Sequence, residues 1–165
     1  MWFISDTHYG HKNFLTFRDK NNNLIRPFSS VEEMDEHMVE QHNKHVKPND
    51  KVYHLGDVCF GTPSIVSRLN GSKRLVVGNH DNLKDHVLMG SFKKVTLWRI
   101  FKEFNFSLSH VPMREDSFQE KVQFNLHGHI HQNQSPTMYH INLCVEHTNY
   151  RPLHLDEILA IIAKK

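Results

Sequence analysis

The chain has 165 residues, 38% hydrophobic and 23% charged, with a formal net charge of +2. This composition excludes the disordered and fibrous classes. So small a charge gives no molecule-wide pull on nucleic acid, so any anion has to be attracted by a local site. A chain of this length buries roughly 70% of its unfolded surface and reads as one domain, residues 1–165.

In chain order, Trp2-Phe3-Ile4 predicts a short buried strand followed by the polar run Ser5-Asp6-Thr7-His8. Ser29-Ser30 ahead of Val31-Glu32-Glu33 predicts a helix start, with a capping serine and acids in the first turn. That helix is expected to reach about Lys47 and stop before Pro48. Lys51–Leu55 predicts a strand ended by Gly56-Asp57, Pro63–Leu69 a short helix, and Lys73–Val77 a strand ended by Gly78-Asn79-His80-Asp81. Alternating strands and helices imply a largely parallel sheet. Beyond Phe92, apolar stretches at 95–101, 104–108, 122–126 and 139–145 leave little room for helices, and an amphipathic helix closes the chain at 156–163. The expected class is α/β, with two packed mixed β-sheets flanked by helices in a four-layer αββα sandwich.

Cys59 and Cys144 match no zinc-site spacing and read as reduced thiols of a cytoplasmic protein. No run approaches the ~20 apolar residues of a membrane span, and Met1–Ile4 is too short for a signal-peptide core. The 15 histidines are the compositional anomaly. Histidine is the commonest metal ligand, and position decides which of these serve as one. His37, His42 and His45 fall on the predicted helix and read as solvated, and His54 inside a strand as packed and hydrogen-bonded.

Polar residues of metal-ligand type recur at strand exits. Asp6 and His8 follow the first strand, Asp57 the second, Asn79, His80 and Asp81 the third, and His110, His129 and His131 later ones. Ligands of open α/β sheets bind beyond the carboxyl ends of the strands, so these exits are expected to meet in one crevice. Asp6 and His8, two apart, point to one side of an extended chain, and His129 and His131 repeat the spacing. Gly56, Gly78 and Gly128 precede ligand candidates, where a tight exit requires positive φ or close backbone approach. Any one of these residues alone reads as an ordinary turn; the ordered coincidence carries the functional reading.

The ordered set Asp6-Thr7-His8, Gly56-Asp57, Gly78-Asn79-His80-Asp81, Ser109-His110 and Gly128-His129-Ile130-His131 resembles the calcineurin-like metallophosphoesterase family. The resemblance implies two divalent metal ions. One would be held by Asp6, His8, His131 and a shared Asp57, the other by Asp57, Asn79, His110 and His129. Manganese is the first choice in vitro; iron, zinc and nickel suit the same mixed N/O ligands. It also implies a phosphoesterase in which a metal-bridging hydroxide attacks phosphorus directly and His80 protonates the leaving oxygen. The family's protein phosphatases carry Gly-Asp-x-x-Asp-Arg-Gly, where this chain has Gly56-Asp57-Val58-Cys59-Phe60-Gly61. Phe60 replaces the aspartate that supports the catalytic histidine, so His80 either lacks that support or borrows another group such as Asp81. Arg26 and Arg114 are candidates for holding phosphate oxygens, and His11 for touching substrate. A small phosphodiester or nucleotide is the expected substrate. A phosphomonoesterase acting on a small metabolite and a non-catalytic metal-stabilised binding module are the alternatives. No basic cluster with interleaved aromatics points to a nucleic-acid partner, and nothing marks a membrane or protein partner.

Overall fold

In the computed structural model, which describes residues 1–61, 63–119 and 121–165, the chain forms the expected α/β sandwich of two mixed sheets. The first contains β1 (Trp2–Ile4), β2 (Lys51–His54), β3 (Ser72–Val76), β4 (Lys94–Thr96) and β9 (Leu153–His154) in the order β4-β3-β2-β1-β9. β1 to β4 run parallel and β9 antiparallel. The second sheet, β5 (Trp98–Phe101), β6 (Phe106–Ser109), β7 (Phe124–His127) and β8 (His140–Asn142), is parallel except for β5.

Alternation along the strands sorts the core into two clusters. Phe3, Tyr53, Leu55 and Val76 of the first sheet meet Phe106, Leu108, Phe124, Leu126, Ile141 and Leu143 between the sheets. Each such side chain contributes about 1.5–3 kcal/mol when fully buried. Ile4, Val52 and Leu75 point the other way, toward Met34, Met38 and Val39 of α1 (Val31–His45). The short α2 (His86–Gly90) and the 3-10 turn Pro63–Arg68 share that side through Leu88, Ile65 and Val66. α3 (Leu155–Ile162) sends Ile158 into the inter-sheet core.

Ser30 caps α1 by accepting from the Glu33 N–H, as expected, and the helix stops at His45 rather than Lys47. His42 is buried rather than solvated, its Nε2 2.9 Å from the Asn70 carbonyl. His54 is packed and bonded to Thr7 as expected. The outer face of the second sheet is polar yet buried, carrying Ser107, Asn125, His127 and His140. These groups hold a covering segment: Asn125 Oδ1 accepts from the Met113 N–H at 2.9 Å, and His140 Nε2 lies 2.7 Å from the Met113 carbonyl. On this side the flanking helix is the 3-10 turn Glu115–Ser117. Among the described residues, no helix is long and apolar enough to cross a membrane.

The sheets join at one end, where Ser5 just past β1 bridges in parallel to Cys144 just past β8. Six strand exits therefore gather there, from β1, β2, β3, β6, β7 and β8.

Candidate metal centre

The first exit is zipped to the second. Asp6 N–H donates to the Gly56 carbonyl at 3.0 Å and His8 N–H to the Asp57 carbonyl at 3.0 Å. The Thr7 hydroxyl donates to the Val58 carbonyl at 2.7 Å. Asp6 and His8 reach one side by an unexpected route. Both adopt left-handed backbone, φ 57° and 48°, rather than extended chain. Asp57, His129 and His131 do the same, at φ 56°, 72° and 48°. Left-handed conformations cost a non-glycine residue of order 1 kcal/mol and cluster at sites where geometry is over-determined.

Glycine makes the convergence possible. Gly56 has φ +96°, and a Cβ there would sit 2.5 Å from the Gly78 nitrogen and 2.7 Å from His110 Nδ1. At Gly78 a Cβ would collide with the Asp57 carboxylate, and at Gly128 with Ser5 and the Asp6 carboxylate. Both of the latter need close approach, not positive φ.

All seven expected ligands converge, with Asp57 at the centre. Its Oδ2 lies 3.5 Å from His8 Nε2 and 3.4 Å from His110 Nε2. On one side Asp6 Oδ1 is 3.7 Å from His8 Nε2 and 3.9 Å from His131 Nε2. On the other, Asn79 Oδ1 is 2.8 Å from His110 Nε2 and 2.9 Å from His129 Nδ1. Asp6 Oδ1 and His8 Nε2 are buried without a hydrogen-bond partner. The opposite ring nitrogen of His110 donates to the Leu55 carbonyl at 2.8 Å, which turns the Nε2 lone pair toward two oxygens. The unpartnered Asp6 Oδ1 and His8 Nε2, facing each other in a buried space, fit a cation better than a hydrogen-bonding pattern.

The protonation states agree. Burial would raise the Asp6 carboxyl, but His8, His110 and His131 reverse this and hold it well below the usual carboxylate range. Burial is likewise outweighed at Asp57, chiefly by His110, and its carboxyl is lowered. Burial lowers His8 and His129, keeping their imidazoles neutral. His110 is the exception: it is raised despite its burial because Asp57 and Asp6 face it.

The five remaining candidates take different places. His80 is exposed at the mouth, its N–H donating to Asp57 Oδ1 at 2.8 Å and its ring 5.0 Å from Phe60. Asp81 does not support that ring. Its carboxylate turns inward and accepts from the backbone N–H groups of Asp57, Val58 and Gly78 at 2.8–3.0 Å, anchoring two exits to each other. Arg26 is not a phosphate ligand. It is fully buried, and its guanidinium is committed to Glu146, the Asp6 and Thr7 carbonyls and the Met34 sulfur. Arg114 is exposed and paired with Asp116 at 2.7 Å, in a shallow pocket with Pro136 and His140 on the outer side of the second sheet. His11 does border the crevice, 5.7 Å from His8 and 4.2 Å from Phe60, ring centre to ring centre, with burial lowering its pKa.

Two residues absent from the expected set belong here. The Cys144 thiol, read earlier as outside the set, donates to Asp6 Oδ2 at 3.3 Å. Its sulfur and ligand atoms of Asp6 and His131 all lie within 4.8 Å of one another. Glu146 Oε1 accepts from Arg26 and lies 3.3 Å from His131 Nδ1. Cys144 and Glu146 stand two apart past β8, which ends at Asn142; the expected stretch 139–145 runs through Cys144 and hides this exit.

Comparison with known proteins gives relatives without assigned activities. No family model matches the chain. It is 33% identical to the gene 66 protein of Mycobacterium phage L5 over 61% of this chain and 49% of that protein. A crystal structure of a protein of unknown function, AQ665 from Aquifex aeolicus, superposes with a TM-score of 0.76 at 29% identity, covering 96% of each chain. The uncharacterized protein MJ1445 of Methanocaldococcus jannaschii is 30% identical across 99% of this chain and 92% of its own length. At that identity and coverage, the chain belongs to the same family as MJ1445.

Proposed function

We propose that the protein is a calcineurin-like metallophosphoesterase that hydrolyses a small phosphodiester or nucleotide. One observation carries the reading: two groups of nitrogen and oxygen ligands meet on opposite sides of a single carboxylate oxygen, Asp57 Oδ2, and on one side Asp6 Oδ1 and His8 Nε2 are buried without a hydrogen-bond partner. Asp6, His8 and His131 with Asp57 would hold one divalent cation, and Asp57, Asn79, His110 and His129 the other. When bound, such a pair supplies positive charge to a phosphate and acidifies water, with manganese as the first choice.

The protein's own groups do the rest. His80 stands at the mouth with its backbone fixed by Asp57, and its ring gives a proton to the leaving oxygen as the phosphorus–oxygen bond breaks. The electron pair of that bond goes to the leaving oxygen, and the hydroxyl of water goes to phosphorus. Direct attack by water suits this site because the nearest alternative nucleophiles are turned away. The Ser5 hydroxyl and the Cys144 thiol are both buried and both donate to Asp6 Oδ2. Phe60 and Phe17, exposed beside His11, offer aromatic surface to a substrate, which favours a nucleotide over a sugar phosphate. Two free cysteines fit a cytoplasmic setting.

The test is turnover of bis(p-nitrophenyl) phosphate and p-nitrophenyl phosphate by protein supplied with manganese. The diester should be the better substrate. His80→Asn should keep its metal and lose about 10²–10⁴-fold in kcat. Inertness toward every phosphate ester, or full turnover by His80→Asn, would sink the reading or the role of His80 respectively.

A further inference from the structure

The two sides of Asp57 are built differently. Asp6 and His8 are buried, and His131, a quarter exposed, lies over Glu146, itself 4% exposed. Asn79 and His129 on the other side are exposed. Behind the first side lies a buried ion pair; behind the second, the described residues offer His110, itself buried, only the Leu55 carbonyl at 2.8 Å. Glu146 Oε1 accepts from Arg26 Nε at 2.8 Å, pairs with Nη2 at 2.7 Å, and faces His131 Nδ1 at 3.3 Å. The same guanidinium donates from Nη2 to the Asp6 carbonyl at 2.6 Å and from Nη1 to the Thr7 carbonyl at 2.7 Å. One side chain thus ties the strained Asp6–His8 exit to the carboxylate that orients His131.

We propose that the Arg26–Glu146 pair is a positioning device that makes the Asp6–His8–His131 side a tight cation site and leaves the Asn79–His110–His129 side a weak, exchangeable one. The inference rests on the two-cation reading and deepens it. A carboxylate behind a ligating imidazole fixes the tautomer and the ring angle and raises its basicity, and loss of such a partner costs about 10–100-fold in metal affinity. Glu146 faces His131 as the acid of a buried ion pair, its Oε1 2.7 Å from Arg26 Nη2. The Arg26 charge cancels that of Glu146, so the supporting carboxylate adds no net charge to the buried side. On the exposed side, His129 Nδ1 meets only Asn79, a side chain as exposed as itself. A ligand without a rigid support loses more freedom on binding, and its affinity is lower.

The experiment is a manganese titration of the full-length protein, read by equilibrium dialysis and by electron paramagnetic resonance. The first equivalent should give the spectrum of an isolated ion and bind at least roughly tenfold tighter than the second, whose arrival should broaden it by coupling. Glu146→Gln should weaken the first class by about 10–100-fold and move the second far less. Asn79→Ala should do the reverse. Glu146→Gln leaves a buried guanidinium short of a charge partner, so Arg26→Lys is the companion variant. It keeps a cation beside Glu146 but cannot span both carbonyls, and it should weaken the same class. Circular dichroism separates loss of fold from loss of ligand geometry. Two equal classes in the wild type, or equal weakening of both by either variant, would overturn the proposal while leaving the two-cation reading in place. A wild type that binds no manganese would remove both.

Discussion

Phe60 stands where a supporting aspartate is expected, and it brings three imidazoles together. Its ring lies 5.6 Å from His8, 4.2 Å from His11 and 5.0 Å from His80. On the proposed reading, an aromatic side chain 37% exposed beside His80 would meet whatever the leaving oxygen carries. Stacking of a base on an aromatic ring contributes about 1–3 kcal/mol. Phe60→Ala should therefore weaken inhibition by a nucleoside monophosphate by about that amount and leave inhibition by inorganic phosphate alone. Parallel weakening of both would assign Phe60 to the scaffold. The convergence of the seven candidate ligands was readable in advance because each follows a short apolar strand at a small, repeated spacing. The partners of those ligands were not. Arg26 and Glu146 are 120 residues apart in the chain, and no local pattern links an arginine in a long connection to a glutamate past the eighth strand.

The elements that matter most are strand exits, and their glycines carry specific loads. Gly78 packs its α-carbon against Asp57, so Gly78→Ala forces one exit off the other. Overpacking of this kind costs about 1–3 kcal/mol and should lower the denaturant midpoint as well as metal occupancy. Gly90, at the end of α2 with nothing within 4 Å of an added Cβ, provides the contrast: Gly90→Ala should leave the midpoint unchanged or raise it slightly. Apolar runs located most elements, but they did not reveal where the chain changes sheet. The stretch 95–101 divides at Leu97, with β4 in one sheet and β5 in the other. A run of apolar residues records burial and not the partner that provides it. β9, two residues long, was too short to leave a pattern.

Across the whole molecule, buried histidines set the acid limit of stability. Burial lowers His42 to about 4, His54 to about 3 and His127 to about 4. Each is neutral when folded and takes up a proton on unfolding below its ordinary pKa near 6.5. The unfolded state therefore binds more protons between pH 6.5 and 4, and stability falls with pH across that window at about 1.4 kcal/mol per unit for each group. Asp35 opposes them. Raised to about 6 by burial, it adds stability below pH 6 that is lost as pH rises through that value. His8, His11 and His129, also lowered, act in the same direction, and His110, raised, acts with Asp35, so the balance is a net loss. For a domain with about 5–15 kcal/mol in hand, unfolding followed by circular dichroism should begin above pH 4. A flat profile down to pH 4 would mean that these rings are solvated.

The seam between Ser5 and Cys144 has one more effect. Asp6 and His8 arrive from the first sheet and His131 from the second; Asp57 and Asn79 arrive from the first, His110 and His129 from the second. Neither sheet holds a complete set of grips for even a single ion. If the proposed cations bind, their capture would be a certificate of assembly: a chain whose sheets have not yet docked would offer an incomplete grip, and one that has chelated would be clasped shut.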